Sequence, residues 1–265
     1  MADLVRLSVN DGIAWLVLNR PQVLNALNQA IVQEYAAHVL ALRERKDVRV
    51  ILTRGEGRGF CAGSDLHELR GMSAAEAASS ERQQAQAFAL LDSLPQPTIA
   101  LTHGYALGGG LQVALYHDFH LTTESATLGL PEVELGWTPP WALGRLMDVV
   151  GNSVARWLLL TCIKIQGNQA REIGLVNEVV PDDQLLESGE AMARQLASFP
   201  PEGLKRTKAL LNQMSPLRQD HWDSHASAAF EHCFRSPECQ ERLATFTARQ
   251  RTRTKVPSTK GPTNK

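Results

Sequence analysis

The chain has 265 residues, of which 43% are hydrophobic and 21% are charged, and its formal net charge at pH 7 is −1. A chain of this length and composition can bury one large core, or a core with a smaller helical region, which argues against disorder as its main state. Because the net charge is close to zero, no overall field attracts nucleic acid or an anionic membrane, and neither is predicted as a partner. An anionic ligand would need a local binding site.

The cysteines and the N-terminal segment indicate a reducing compartment. Four cysteines stand singly in the sequence, at positions 61, 162, 233 and 239, which favours free thiols over a disulfide framework and offers no close pair for zinc. Asp3, Arg6 and Asn10 interrupt the apolar stretch that a signal peptide would need, and no apolar run reaches the length of a membrane span. We therefore expect a cytoplasmic protein without a bound metal.

The first 54 residues predict a hairpin, a helix and a strand. Residues 4–9 and 13–20 are rich in β-branched and apolar residues and flank an "NDG" turn, which is typical of a β-hairpin. Residues 28–46 carry apolar side chains at helical spacing and end in a basic turn, and residues 48–54 form a short apolar run.

The middle of the chain repeats this alternation of strands and helices. In chain order, the patterns predict a helix over 73–94, a strand over 98–104, a helix over 109–117, a strand over 118–123, a short strand over 126–130 and helices within 139–162. Strands that alternate with helices indicate an α/β core.

The last third is predicted to be helical up to a basic tail. Strand patterns end with residues 174–181, and apolar residues then recur at helical spacing between 182 and 249. Residues 251–265 are basic, rich in proline, threonine and lysine, and lack an apolar pattern, which is typical of a disordered tail. We divide the chain into a core of residues 1–198, a helical region of residues 199–250 and this tail.

Two glycine-containing loops are candidates for ligand binding. Residues 55–69 and 103–111 each follow a strand, pass through small residues and enter a helical segment. Helix N-termini expose unpaired N–H groups, and glycine lets a ligand approach them, so one N–H from each loop could form an oxyanion hole. Either loop taken alone favours a structural explanation, in which the glycines allow tight helix-on-strand packing.

Other motif assignments fail on spacing. The "GYALGGG" segment contains neither G-x-G-x-x-G nor a Gly-Lys-Ser/Thr ending, which argues against dinucleotide and phosphate-loop sites. The "GSD" segment does not make Ser64 a hydrolase nucleophile, because the G-x-S-x-G pattern is missing. His221 and His225 are one helical turn apart but lack the glutamate of the metalloprotease motif.

Five segments form a set: "NRPQVLNALN" (19–28), "GRGFCAGSDLHEL" (57–69), "GYALGGGLQVALYHD" (104–118), "LGLPEVELG" (128–136) and "GLVNEVVP" (174–181). In order and spacing this set resembles the crotonase superfamily, the enoyl-CoA hydratase/isomerase family. The resemblance implies an α/β fold in which repeated β-β-α turns form a spiral, with a C-terminal helical region used for trimerisation. It also implies a homotrimer or a hexamer and an acyl-CoA substrate, with no separate cofactor because coenzyme A is part of that substrate.

The resemblance also implies the catalytic groups. The oxyanion-hole N–H groups correspond to Ser64 and Gly109, and the proton-transferring carboxylate corresponds to Glu132. Where two-glutamate hydratases have their other carboxylate, this chain has Gln112 as the catalytic-site residue; its amide can orient a water or the carbonyl but cannot exchange a proton near pH 7. Glu134 is a competitor for the acid role, because in an extended segment it would point the same way as Glu132.

The remaining site assignments concern the acyl and CoA groups. Bulky Trp137 and Trp141 replace small residues and are expected in the substrate pocket. CoA is expected at Val23, Leu24, Ser64, Asp65 and Leu66, with Arg249 near a phosphate. Arg20 is expected to support the turn between hairpin and helix, and Cys61 to pack as a small apolar residue.

The predicted function is that of an enoyl-CoA hydratase/isomerase acting through an enolate. A single glutamate between C2 and C4 can move a double bond, so isomerisation is slightly favoured over hydration. Two alternatives stay open: a hydratase-lyase, and a catalytically weak acyl-CoA-binding or scaffold protein with the same fold.

Overall fold

The structure is a computed structural model that describes residues 3–214 and 220–254, with side chains described for residues 3–214 and 222–248. Within these residues the strands are β1 Val5–Asn10, β2 Ile13–Leu18, β3 Val50–Gly55, β4 Thr98–Thr102, β5 Tyr105–Leu107, β6 Phe119–Thr123, β7 Thr127–Gly129, β8 Ile165–Gln166 and β9 Glu178–Val180.

The helices connect and cover these strands. They are α1 Gln29–Arg43, α2 Leu66–Leu69, α3 Ala74–Ala89, α4 Gly109–Ala114, α5 Leu143–Thr161, α6 Gly167–Glu172, α7 Leu185–Ser198, α8 Pro201–Met214, α9 Asp220–Phe234 and α10 Pro237–Thr254. Short 3₁₀ helices span Pro21–Val23, Leu90–Ser93 and Glu132–Leu135.

The predicted hairpin begins a six-stranded sheet. β1 and β2 pair antiparallel from Val5 opposite Leu18 to Asn10 opposite Ile13. The turn between them places Asp11 and Gly12 at φ values of 49° and 76°, the left-handed conformation that asparagine, aspartate and glycine tolerate best in two-residue hairpins. The sheet continues in the order β2-β3-β4-β6-β9 with every further pair parallel.

A second sheet of β5, β7 and β8 turns the chain into a spiral. β4 belongs to the first sheet and the following β5 to the second, and α4 then leads to β6 and β7, which repeat the step. This confirms the α/β fold of repeated strand–strand–helix turns. The sequence patterns did not predict β5 or β8, which are only three and two residues long.

The first sheet is buried on both faces. One face joins the large core that includes Leu16, Ile51 and Tyr35 of α1. The other face contributes Leu52 and Leu101 to a second apolar cluster with α7. Parallel strands covered on both sides need apolar residues on both faces, which explains the consecutive apolar residues 50–52 of β3 and 99–101 of β4.

The C-terminal helices return to the core. Side chains of α9 and α10 form an apolar cluster with α2, α3 and Trp137, and its buried members are Leu69, Ala77, Ala78, Trp137, Phe230, Phe234, Cys239 and Leu243. α10 extends to Thr254, so the first four residues of the predicted tail are helical, and residues 255–265 lie outside the described residues. None of the helices described is long and apolar enough to cross a membrane.

Candidate active site

Backbone hydrogen bonds fix the loop of residues 61–65 between two other segments. On one side, Cys61 N–H donates to Tyr105 O at 3.0 Å, and Leu107 N–H donates to Cys61 O at 3.1 Å. On the other side, Leu27 N–H donates to Gly63 O at 2.8 Å, and Asp65 N–H donates to Leu27 O at 2.9 Å. The loop is therefore fixed on both sides of Ser64.

Asn25 holds the segment that leads from β3 into this loop. Its side-chain amide donates to Gly59 O at 2.9 Å and to Phe60 O at 3.1 Å, and its Oδ1 accepts from Arg20 N–H at 2.8 Å. The Arg20 guanidinium donates to Ala26 O and pairs with Asp65 at 3.1 Å, as expected of a residue that supports the turn between hairpin and helix. Cys61 is fully buried, and burial raises the pKa of its thiol to about 12, as expected for a packing residue.

The N–H groups of Ser64 and Gly109 lie next to each other. A Cβ placed on Gly109 would be 3.4 Å from Ser64 N, and a Cβ placed on Gly63 would be 3.1 Å from Gly109 N. Within the described part of the chain, neither N–H donates a hydrogen bond to any acceptor. Two neighbouring unpaired donors can bind one oxygen atom, which is the role predicted for Ser64 and Gly109.

The three consecutive glycines meet different requirements. Gly108 has a φ of 52°, which is unfavourable for other residues. Gly110 packs so tightly that a Cβ would be 2.2 Å from Cys61 O. Gly109 has neither constraint, because its φ is not positive and a Cβ there would meet its nearest atom, Leu27 Cδ1, at 3.3 Å. The fold requires glycine at 108 and 110 more strongly than at 109.

Glu132 is a buried carboxylate beside this pair of N–H groups. It begins the 3₁₀ helix Glu132–Leu135, only 5% of the residue is exposed, and its Oε1 is 3.1 Å from the position that a Cβ on Gly108 would occupy. Oε2 has no hydrogen-bond partner among the described residues. Burial, with a further contribution from the charge of Glu81, raises the pKa of Glu132 to about 8.

Glu134 does not share this environment. The segment is a 3₁₀ helix and not an extended strand, so the premise that Glu132 and Glu134 point the same way is wrong. The Glu134 side chain is 53% exposed, and Lys164 Nζ lies 3.6 Å from its Oε2. The structure therefore separates a buried carboxylate from an exposed, ion-paired one two residues along the chain.

Glu132 and Glu134, although one is buried and the other exposed, both line a cavity of about 1060 Å³. Its wall also includes Ser64, Gly109, Gln112 and Trp137. Trp137 packs against Phe230 and Phe234 of α9, each with ring centroids 5.8 Å from its own. The C-terminal region contributes further to the wall through Arg242, Thr245 and Phe246 of α10. Trp137, predicted in the substrate pocket, therefore lies in the wall of this cavity.

Trp141 requires a correction, because it does not line this cavity. Its side chain is fully buried in the core and its ring stacks on Phe88 at a centroid distance of 5.8 Å. Its carbonyl accepts a hydrogen bond from Gln112 Nε2. The Gln112 amide nitrogen is thus already engaged by the protein.

The predicted CoA contacts divide into two groups. Leu24, Ser64 and Leu66 line the cavity, whereas Val23 is outside its wall and 39% exposed. Asp65 is also outside the wall: its carboxylate accepts from His67 N–H at 3.1 Å, which caps α2, in addition to its ion pair with Arg20. Neither Val23 nor Asp65 therefore forms the cavity wall. The Arg249 side chain lies outside the described residues.

Two kinds of residue in the cavity wall were not predicted from the sequence. One is basic: Arg58, Lys164 and Arg242. The other is Glu81 of α3, of which 2% is exposed. A helical position between buried alanines gives no motif, so only the packing of α3 reveals this second carboxylate. Of the groups of His, Cys, Asp and Glu in the described ranges, none with three or more members could hold a metal ion.

Residues 8–255 match the sequence profile of the family described as "Enoyl-CoA hydratase/isomerase". The chain belongs to the enoyl-CoA hydratase/isomerase family. A crotonyl-CoA hydratase of Syntrophomonas wolfei is 33% identical over 242 residues, which is 91% of this chain and 93% of the relative. A 2,3-dehydroadipyl-CoA hydratase of Escherichia coli K12 is 35% identical over 214 residues, covering 80% of this chain and 83% of the relative.

Solved structures of this family have the same architecture. The enoyl-CoA hydratase of Bacillus anthracis is 29% identical and superposes with a TM-score of 0.78 over 93% of this chain and 96% of that protein. An enoyl-CoA hydratase/isomerase of Pseudoalteromonas atlantica is 25% identical, with a TM-score of 0.83 over 93% of this chain and 97% of that protein. The fold predicted from the family resemblance is thus shown.

Proposed function

We propose that this enoyl-CoA hydratase/isomerase family member transfers protons at C2 of an unsaturated acyl-CoA thioester through an enolate. One observation carries the proposal: two adjacent unpaired N–H groups and a buried carboxylate oxygen without a partner occupy the same cavity. The oxygen of a thioester enolate is stabilised by such N–H donors, and C2 of the enolate exchanges its proton with such a carboxylate.

In this proposal the thioester oxygen accepts hydrogen bonds from Ser64 N–H and Gly109 N–H. Their contribution grows as negative charge develops on the oxygen, and loss of one such donor costs about 3 kcal/mol or more in other enzymes. Glu132 then takes a proton from the acyl chain or gives one to C2. Its raised pKa of about 8 suits both tasks near neutral pH, because both protonation states are populated.

The proposed CoA site uses the wall residues Leu24, Ser64 and Leu66 together with the basic Arg58. A positive charge at the cavity wall would bind phosphate, which the near-zero net charge of the chain cannot attract at long range. Both reactions need only proton transfers or the addition of water, so no cofactor beyond the coenzyme A of the substrate is proposed.

Two reactions share this chemistry, and different observations favour each. Glu132 acting alone favours isomerisation, because one carboxylate can take a proton from C4 and return it to C2. Hydration also requires a group that activates water, and the Gln112 amide cannot accept the proton. The printed names of relatives such as the crotonyl-CoA hydratase nevertheless favour hydration.

A substrate screen over a pH range tests the proposal. Gain or loss of the conjugated thioester absorbance is followed for 3-enoyl-CoA and 2-enoyl-CoA substrates from pH 5 to 10. If isomerisation is the reaction, Glu132 must start as the carboxylate, so kcat/KM is expected to fall below a pH of about 8. If hydration is the reaction, Glu132 starts protonated, and kcat/KM is expected to fall above this pH.

The opposite outcome is equally clear. If acetyl-CoA raises the melting temperature but no enoyl-CoA in the screen is converted, the protein binds acyl-CoA without catalysis, and the proposed activity is wrong. A hydratase-lyase would instead release an aldehyde from a hydroxycinnamoyl-CoA, and detection of that aldehyde distinguishes this reaction from hydration alone.

Assembly is a separate proposal: we expect trimers or hexamers. Exposed apolar side chains lie on α5 and α8, among them Trp157, Leu160, Leu210, Leu211 and Met214. Clusters of exposed apolar residues are typical of protein interfaces, and homo-oligomers commonly use them around a symmetry axis. Light scattering at micromolar concentration is expected to give three or six times the chain mass of 29.1 kDa. A monomer under these conditions would contradict the proposal.

A further inference from the structure

Among the described residues that form the cavity wall, Glu81 is the one buried carboxylate besides Glu132, and 2% of the residue is exposed. It lies on α3, which none of the family-specific sequence segments includes. Among the described residues, no ion pair includes it. A buried carboxylate without a cationic partner lowers the stability of the fold. Its presence in the wall of the cavity therefore indicates a functional role.

The two oxygens of Glu81 are held by fixed donors. Trp141 Nε1 donates to Oε2 at 3.0 Å, and Gln84 Nε2 donates to Oε1 at 3.3 Å. Each carboxylate oxygen can accept about two hydrogen bonds, so each keeps acceptor capacity after these contacts. The donors orient the carboxylate without neutralising its charge.

The same contacts place Glu81 near both the oxyanion-binding loop and Gln112. The Ser64 hydroxyl lies within hydrogen-bonding reach of the Glu81 carboxylate and of Gln84 Oε1, the latter at 3.4 Å, so Glu81 is next to the residue that supplies one N–H group. Trp141 binds Glu81 through its indole nitrogen and Gln112 through its carbonyl. The Glu81 carboxylate and the Gln112 amide, which cannot act as an acid or base, therefore share Trp141 as a hydrogen-bond partner.

We propose that Glu81 is the second catalytic carboxylate of this site and activates water for addition to C3 of a 2-enoyl-CoA. This inference rests on the proposed enolate chemistry and assigns hydration as the reaction. It also explains how the chain can hydrate its substrate with Gln112 in place of a glutamate. The water-activating group comes from α3 and not from the helix that begins at Gly109.

The chemical step balances without a further reactant. The Glu81 carboxylate takes one proton from water while the water oxygen bonds to C3. The π electrons of the C2–C3 bond move towards the thioester, whose oxygen is held by Ser64 and Gly109, and Glu132 gives its proton to C2. The product is a 3-hydroxyacyl thioester, and the proton on Glu81 returns to Glu132 through water.

Two carboxylates in one cavity also divide the acid and base roles. Burial raises the pKa of Glu81, and the charge of Glu81 contributes to the raised pKa of Glu132. Because two neighbouring buried carboxylates resist being charged together, the pair holds one proton over a range of pH. Hydration needs this state, with one group as base and the other as acid.

The test compares two reactions in Glu81→Gln. With crotonyl-CoA, hydration is expected to fall by about 100-fold or more. Exchange of the C2 protons of butyryl-CoA with D₂O needs only Glu132 and the oxyanion donors, so it is expected to stay within threefold of wild type. Glu187→Gln, an exposed substitution on α7, is the matched control and is expected to leave both rates unchanged.

A structural role would give the reverse order among conservative variants. Glutamine keeps the length needed to accept from Trp141 Nε1, whereas aspartate keeps the acid but shortens the side chain. Catalysis by Glu81 predicts more hydration in Glu81→Asp than in Glu81→Gln, and a structural role predicts less. This comparison also covers the case in which circular dichroism shows that Glu81→Gln does not fold, because Glu81→Asp must then hydrate crotonyl-CoA measurably.

Three outcomes would overturn the inference while leaving the proposed function intact. They are hydration within threefold of wild type in Glu81→Gln, equal loss of hydration and C2 exchange in that variant, and a wild-type protein that isomerises but does not hydrate. A wild-type protein that neither hydrates nor isomerises any enoyl-CoA is different, because it refutes the proposed function itself.

Discussion

Glu132→Gln is expected to lower turnover of any enoyl-CoA substrate by about 1,000-fold or more, because the change keeps size and polarity but removes the proton-transfer group. Binding of acetyl-CoA is expected to stay within threefold, since Glu132 is not among the groups proposed to bind CoA. Turnover is followed by the conjugated thioester absorbance and binding by thermal shift.

The stability of Glu132→Gln supplies an internal control. The pKa of Glu132 in the folded protein is about 8, above the ordinary value of 4.5, so the folded state binds more protons than the unfolded state between these values. Stability contributed by this site therefore falls as pH rises from about 4.5 to 8. Glu132→Gln removes this penalty and is expected to melt at the same or a higher temperature than wild type at pH 8.

Glu134→Gln is the matched comparison two residues away. Glu134 is exposed and pairs with Lys164 at 3.6 Å, and exposed ion pairs contribute about 0–1 kcal/mol. We expect this variant to keep wild-type turnover. Full activity in Glu132→Gln together with loss of activity in Glu134→Gln would transfer the acid role to Glu134 and refute the single-site assignment.

Local patterns predicted the main elements of the fold where local interactions determine them. The "NDG" turn and its flanking alternation define the hairpin of β1 and β2. Asn28 caps α1 by accepting Ile31 N–H at 3.1 Å, so the predicted helix start is nearly correct. The strands β5 and β8 were missed because they are too short to show a period, and pairing in the second sheet alone defines them.

The site shows the same division. The glycine loops and Glu132 belong to motifs that are recognisable in the sequence, so these residues could be predicted as site residues. The structure places them in one cavity. Trp141 and Glu81 depend on tertiary packing: Trp141 turns its ring into the core, against Phe88, and directs its indole N–H to Glu81. The sequence around Trp141 does not indicate that its ring is buried, and the sequence around Glu81 does not indicate that its carboxylate lies in the cavity wall.

The conformation of residues 132–135 could not be predicted from the sequence either. An alternating "PEVEL" segment fits a strand, in which both glutamates face one way. The chain instead forms a 3₁₀ turn that ends at Gly136 with a φ of 92°, and Trp137 N–H donates to Glu132 O at 3.2 Å. This turn is stabilised by contacts with the C-terminal helices, including the donation from Arg242 Nη1 to Glu134 O at 2.8 Å.

The adjacent variants Gly109→Ala and Gly110→Ala are expected to fail for opposite reasons. A methyl group at 109 meets no atom closer than 3.3 Å in the protein but is 3.4 Å from Ser64 N, the donor proposed to bind the thioester oxygen. We expect the free energy of unfolding to change by about 1 kcal/mol or less. Turnover is expected to fall by about 100-fold or more, because the methyl group displaces the oxygen from both N–H groups.

A methyl group at 110 would instead be 2.2 Å from Cys61 O, so the two loops must separate. We expect Gly110→Ala to lower the free energy of unfolding by about 3 kcal/mol or more, with activity lost through the fold. Gly203→Ala, where a Cβ would have no neighbour within 4 Å, controls for the change of residue type. Urea denaturation and turnover measured on all three variants separate the two effects. Wild-type turnover in a stably folded Gly109→Ala would contradict this assignment. It would mean that the thioester oxygen binds elsewhere, because a methyl group beside Ser64 N would block its binding at the two N–H groups.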